Sequence, residues 1–164
     1  RIIQHIHSWH YLAEVHSRLS LAYLASGDLE NAEIEGRQAL DLAEAQDGPE
    51  HPLSQGIRIS LAGIVLLTQG LDAAADLLSG VSESRLESFG DHYPVHADYW
   101  KLIGLLAQHR GNESRAESYI ALANARYEKT YGTSPPKSRE LHYVSGLLEQ
   151  RRGAHTKPLT NERL

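Results

Sequence analysis

Ten histidines are the residues of this chain that most invite a chemical reading. Four of them, His5, His7, His10 and His16, crowd the start. A helical zinc site takes two histidines four residues apart on one face. The run His5-x-His7-x-x-His10 lacks that spacing and straddles a predicted turn at Ser8, and no glutamate completes a His-Glu-x-x-His pattern. No metal is expected; these read as surface and loop histidines. There is no Gly-x-Ser-x-Gly elbow and no glycine-rich phosphate loop ending in Gly-Lys-Ser/Thr. Gly80, Ser82 and Ser84 read as ordinary helix or capping residues. The chain has no cysteine, which removes disulfides, thiolate zinc ligands and thiol nucleophiles. Glu14, Asp98 and Glu140 fall at equivalent positions of the repeat described next. Carboxylates do acid–base work only where their surroundings drive their pKa values apart. On a solvated face they read as specificity charges. No catalysis and no cofactor are expected.

The elements that must position these residues are set by glycine. Gly27, Gly70, Gly111 and Gly153 form one series, and Gly48, Gly90 and Gly132 interleave with it at the same interval of about 42 residues. Two series with one period mark two turns per repeat. Between turns the apolar residues recur at helical spacing. Leu12, Val15, Leu19, Ala22 and Tyr23 precede Gly27. Leu29, Ala32, Ala39, Leu40 and Ala43 precede Gly48. The pattern returns at Ile57, Leu61, Ile64 and Leu67, and at Ala74, Leu77, Leu78 and Val81. It returns again at Trp100, Ile103 and Ala107, then at Ala116, Tyr119, Ile120 and Ala123. A last stretch holds Leu141, Val144, Leu147 and Leu148.

Pro52, Pro94 and Pro136 sit at one offset past the second glycine series, where the first turn of a helix tolerates proline. Asp28 and Asn112 are placed to cap the helices that follow Gly27 and Gly111. No segment alternates as a strand does. The reading is all-α, with helices near 9–26, 29–46, 52–69, 72–89, 94–110, 113–131 and 136–152. Residues 2–6 read as the last turns of a preceding helix, and 154–164 as a loose tail. The chain starts inside an apolar pattern and has no methionine, so it reads as a fragment of a larger protein.

A chain of 164 residues is long enough to bury a core without staples. Its net charge of -5 and pI near 6.0 disfavour nucleic acid, which calls for clustered Lys and Arg. Arg110, Arg115, Arg126, Lys129, Arg151 and Arg152 are scattered among acids and read as a solvated face. The apolar runs, Ile64–Leu67 among them, are far too short for a membrane span. A cytoplasmic location fits the lack of cysteine.

The repeat resembles the tetratricopeptide family, in the long-loop variety of kinesin light chains and many bacterial regulatory proteins. The third unit carries the resemblance best, with Trp100, Ile103-Gly104, Ala107, Gly111, Ala116 and Ala123. The second has Ile59, Ala62-Gly63, Leu66, Gly70, Ala75 and Ser82. The first has His16, Leu19-Ser20, Tyr23, Gly27, Ala32 and Ala39, and the fourth keeps Ser145-Gly146 and Gly153. The loops 48–52 and 90–94 resemble the family's Gly-x-x-His-Pro connection, in which His51 and His92 organise the turn. Gly63, Gly104 and Gly146 are expected where paired helices cross. Ser20, Gly36 and Ser82 depart from the pattern.

The resemblance implies a right-handed superhelical solenoid of about 3.5 repeats over residues 1–153, with units near 9–48, 52–90, 94–132 and 136–153. It implies that first helices line a concave groove formed by Ser17, Leu21, Leu24, Ser60, Ile64, Leu67, Lys101, Leu105, Gln108, Tyr143, Leu147 and Gln150. Leu21, Ile64, Leu105 and Leu147 stand where the family often has Asn, so the carboxylate clamp of some members is missing. An apolar groove suits a partner helix or an extended hydrophobic peptide. The alternatives are that these leucines pack internally or mediate self-association. The expected function is a non-catalytic protein-interaction module. A second reading is an effector- or partner-sensing domain of a larger bacterial transcription regulator or kinase. A secretion chaperone is disfavoured, because those resemble shorter repeats.

Overall fold

The described glycines of both series do what an L-residue does at a cost. Gly27, Gly48, Gly70, Gly90, Gly111 and Gly132 all have φ between 76° and 96°, positive values that glycine adopts freely at helix boundaries. The computed structural model describes residues 2–90 and 95–132, with side chains described at 11–90 and 95–130. Its helices are α1 (Ile2–Ser26), α2 (Leu29–Asp47), α3 (Pro52–Thr68), α4 (Leu71–Ser79), α5 (Glu83–Ser88), α6 (Val95–His109) and α7 (Glu113–Tyr131). The described residues contain no strand. The expected helix 136–152, the tail, Pro94 and Pro136 lie outside them.

Equivalent turns close in the same way. Asp28 N–H bonds back to the Tyr23 carbonyl at 3.0 Å, and Asn112 N–H to that of Ala107 at 2.9 Å. The side chains of Asp28 and Asn112 then each accept from the third residue of the next helix, Asn31 N–H and Arg115 N–H, both at 3.2 Å. These are N-caps, which satisfy amides that have no partner inside the helix. Pro52 opens α3 at its first turn.

Three expectations are corrected. First, α1 has no turn at Ser8 and is helical from Ile2. No Gly or Pro occurs in that stretch, and a lone serine does not stop a helix. Second, the helix expected at 72–89 is broken between α4 and α5. The Gly80 and Val81 amides bond back only to Leu77 and Leu78, at 3.2 and 3.0 Å. Gln55 of α3, fully buried, takes over the backbone there. It donates to the Pro49 carbonyl at 2.7 Å and the Gly80 carbonyl at 3.3 Å, and accepts from Ser82 N–H at 3.0 Å. Third, the small-residue register of the second unit is one residue earlier than expected. Counted from the caps Asp28, Gly70 and Asn112, Ala32 and Ala116 correspond to Ala74. Ala32 and Ala74 are sealed from solvent and Ala116 nearly so, whereas Ala75 is half-buried. By the same count Val81, not Ser82, matches Ala39 and Ala123.

The helices pack in chain order. α1 lies on α2, α2 on α3, α3 on α4, and α6 on α7, while α6 also meets α3, α4 and α5. With neighbours on several sides, α3 buries residues around its whole circumference, from Ile57 and Ile59 to Leu66 and Leu67. The largest cluster joins Leu24, Ala32, Ile64, Leu67, Leu78, Leu86 and Leu102. A second joins α1, α2 and α3 through Ala13, Ala39, Leu40, Ala43, Leu61 and Val65. A third holds Ala97, Ala123 and Tyr127, with Trp100 against it.

Two glycines permit close approach. A Cβ on Gly104 would meet Ile120 Cγ1 at 3.0 Å and the Ala116 carbonyl at 3.3 Å, where α6 crosses α7. A Cβ on Gly36 would meet Leu61 Cδ1 at 2.9 Å and Ser20 Oγ at 3.1 Å. Gly36 and Ser20 thus form one contact: the serine hydroxyl donates to the Ala32 carbonyl at 2.6 Å, and the glycine makes room beside it.

Candidate functional site

The expected groove residues come from α1, α3 and α6, and the structure sorts them into two groups. Leu24, Ile64 and Leu67 are 3%, 0% and 1% exposed and belong to the largest core cluster. They are closed to a partner in this conformation. Leu105 is half-buried and packs against that same cluster. Ser17, Leu21, Ser60 and Lys101 are half-buried, and Gln108 is exposed. Tyr143, Leu147 and Gln150 lie outside the described residues. The accessible strip is therefore narrower and more polar than the sequence pattern implies. The apolar line Leu21–Ile64–Leu105 is interrupted at its middle member, because α3 is enclosed and α1 and α6 are not.

Burial lowers the Lys101 ammonium below its ordinary pKa, with the nearby Asp98 carboxylate opposing that shift. Asp98 itself accepts a hydrogen bond from the Tyr127 hydroxyl. Glu14, its counterpart on α1, is exposed and lies 3.9 Å from Arg18; Glu140 is outside the described residues. The two described carboxylates thus have separate partners. Trp100 packs on the third cluster and donates from Nε1 to Glu83 Oε1 at 2.9 Å, a role in packing and anchoring.

The histidines have local duties. His51 Nδ1 accepts from Leu53 N–H at 3.3 Å and so caps α3, with Asp47 Oδ2 3.8 Å away. His16 Nδ1 lies 2.5 Å from Glu35 Oε2, tying α1 to α2. Side chains of His5, His7 and His10 are outside those described, as is His92. No group of three metal-binding side chains occurs among the described residues, and none of the helices there is long and apolar enough to cross a membrane.

Sequence reasoning missed a crevice of about 380 Å³ between α4, α6 and the start of α7. Ala75, Leu78, Ile103 and Leu106 form its apolar wall, while Tyr99, Arg110, Asn112 and Arg115 bring polar groups to it. Burial raises the Tyr99 phenol above its ordinary pKa, helped by Glu83 and Tyr119. The Arg115 guanidinium stands 5.6 Å over the Tyr119 ring, and Arg110 is 4.0 Å from Asp72. The α2–α3 junction, its equivalent in the first unit, is bridged instead by an ion pair between Arg58 and Glu44. The one sequence signal for the difference is that Tyr99 occupies the place of Arg58. Comparison of the chain with protein-family models, with curated proteins and with solved structures finds no match.

Proposed function

We propose that the chain is a non-catalytic protein-interaction module of the tetratricopeptide kind, a right-handed solenoid that holds a peptide or helix of a partner along its first helices. The observation that carries this reading is the recurrence of one helix-pair design. Caps, positive-φ glycines and buried alanines repeat in register, and neighbouring pairs pack in chain order, the pattern of a stacked repeat. Such stacks expose extended surfaces suited to polypeptides.

The contact strip comprises Ser17, Leu21, Ser60, Lys101, Leu105 and Gln108. Leu24, Ile64 and Leu67 support it from beneath. A mixed strip of this kind favours an amphipathic partner segment over a purely hydrophobic one.

The test is selection of binders from a phage-displayed peptide library, followed by mapping of their contacts by NMR. Selected peptides should perturb resonances of the six strip residues, and Leu105→Asp with Leu21→Asp should weaken binding by about 100-fold, a loss of roughly 3 kcal/mol. Perturbations confined to α2 and α7, or unchanged affinity in a folded double variant, would refute the reading.

The crevice lends support to a second reading, an effector-sensing regulatory domain within a larger bacterial regulator or kinase. Its apolar wall and its two arginines suit a small anionic amphiphile. Decanoate is a suitable probe. Protection of Tyr99 and Ile103 at millimolar decanoate, lost in Arg110→Glu/Arg115→Glu, would favour this reading.

A further inference from the structure

The apolar face of α1 is open. Leu12, Val15 and Leu19 are 42%, 47% and 41% exposed, Ala22 is exposed with them, and Tyr11 flanks them. Spacings of three and four place these residues on one face along the helix. α1 buries a different set against α2, including Ala13 and Ser20.

The chain itself shows what covers such a face. Counted back from Gly27, Gly70 and Gly111, the four positions of α1 correspond to Gln55, Arg58, Ala62 and Val65 of α3. They correspond to His96, Tyr99, Ile103 and Leu106 of α6. In α3 this face meets α2: Arg58 pairs with Glu44, and Val65 clusters with Ala39, Leu40 and Ala43. In α6 it faces α4 across Ala75 and Leu78. Both times the cover is the second helix of the neighbouring pair. On α1 the same positions carry the most apolar set of the three and no described helix covers them.

We propose that the outer face of α1 docks a partner helix pair of this repeat's own design, whose second helix lies on Leu12, Val15, Leu19 and Ala22 as α2 lies on α3. The chemistry of that helix is specified. α1 has Val15 where α3 has Arg58, so the partner must be apolar where α2 carries Glu44. It must also have small residues at the crossing, as α2 has at Gly36, Ala39 and Ala43. A second copy of this chain is a poorer occupant. Its last described second helix, α7, carries Glu128 where α2 carries Glu44, and so would set a carboxylate on Val15. The inference is independent of the peptide strip, which lies on other residues of α1.

The probe is a stapled helix with the α2 sequence Leu29–Asp47 carrying Glu44→Leu, compared with the same helix retaining Glu44. The 164-residue chain is titrated with each and followed by hydrogen exchange. The Glu44→Leu helix should protect amides of residues 12–22 and bind at least about 10-fold more tightly than its parent, since the parent sets a carboxylate on Val15. Leu19→Asp should abolish that protection, whereas Leu105→Asp should leave it unchanged. Val15→Asp serves as the second variant should Leu19→Asp lose its helical circular dichroism. Equal binding of the two helices, protection elsewhere, or no protection overturns the proposal. So does concentration-dependent dimerisation of the chain that Leu19→Asp abolishes, which would make a second copy the occupant.

Discussion

Gln55 shows how one buried polar side chain can organise three segments. Its amide links the loop before α3, the end of α4 and the start of α5. Gln55→Leu keeps the volume but leaves Ser82 N–H and the Pro49 and Gly80 carbonyls without that partner. The expected loss is about 3 kcal/mol at roughly 1 kcal/mol per bond, read as a lower urea midpoint. Glu33 offers a pH signature at the same scale. Burial raises its pKa, but hydrogen bonds from Thr68, Arg37 and Gln69 outweigh that and hold it below the ordinary value. A depressed carboxylate stabilises the fold above its unfolded pKa, and that stability is lost as pH falls through the folded pKa. Urea denaturation over the acid range should therefore show a loss of stability that Glu33→Gln diminishes. A variant with an unchanged acid slope would show that Glu33 does not link α2 to α3 in this way.

Helix crossings and helix ends are decided by small residues. Gly104 sits where α6 meets α7, and valine there would press on Ile120 and the Ala116 backbone. Gly104→Val should cost about 2 kcal/mol, the usual range for overpacking. Gly36→Ala tests the converse. It gains nearly 1 kcal/mol of intrinsic helix propensity but has to displace the end of the Leu61 side chain. The contrast between these variants separates propensity from packing. Gly70 isolates backbone conformation alone, since φ is 96° and nothing lies within 4 Å of an added Cβ. Gly70→Ala should destabilise by about 2 kcal/mol, because its backbone, with ψ at -167°, lies in a positive-φ region essentially confined to glycine. A neutral result in thermal melts would mean that the turn can relax.

Among the described residues, cohesion is distributed through three clusters rather than one centre. Among the described residues the Ala97–Ala123–Tyr127 cluster joins α6 and α7, while α2 and α3 are held by the second cluster. Ala123→Asp should therefore raise amide exchange through α6 and α7 while leaving α2 and α3 protected, as expected where neighbours supply most of the stability. Uniform loss of protection would indicate a single cooperative core instead.

Local features were legible in the sequence. The positive-φ glycines, the caps at Asp28 and Asn112, and the ends of α2, α3 and α7 follow from what individual residue types permit the backbone to do. Burial was not legible in the same way. Periodicity says which face of a helix is apolar, but only its neighbours decide whether that face is closed. Leu19 and Ala62 hold equivalent positions, yet one is exposed and the other sealed, because α2 lies over α3 and no described helix lies over the outer face of α1. Ile64, expected to line the groove, is core because Leu24, Leu78 and Leu102 close around its side of α3. The break at Gly80 depended on Gln55, a residue 25 positions away, and the crevice beside Tyr99 on how closely α4 approaches α6. Residue types set the turns and caps through short-range sterics and hydrogen bonds. The packing of whole helices settled which side chains water can reach.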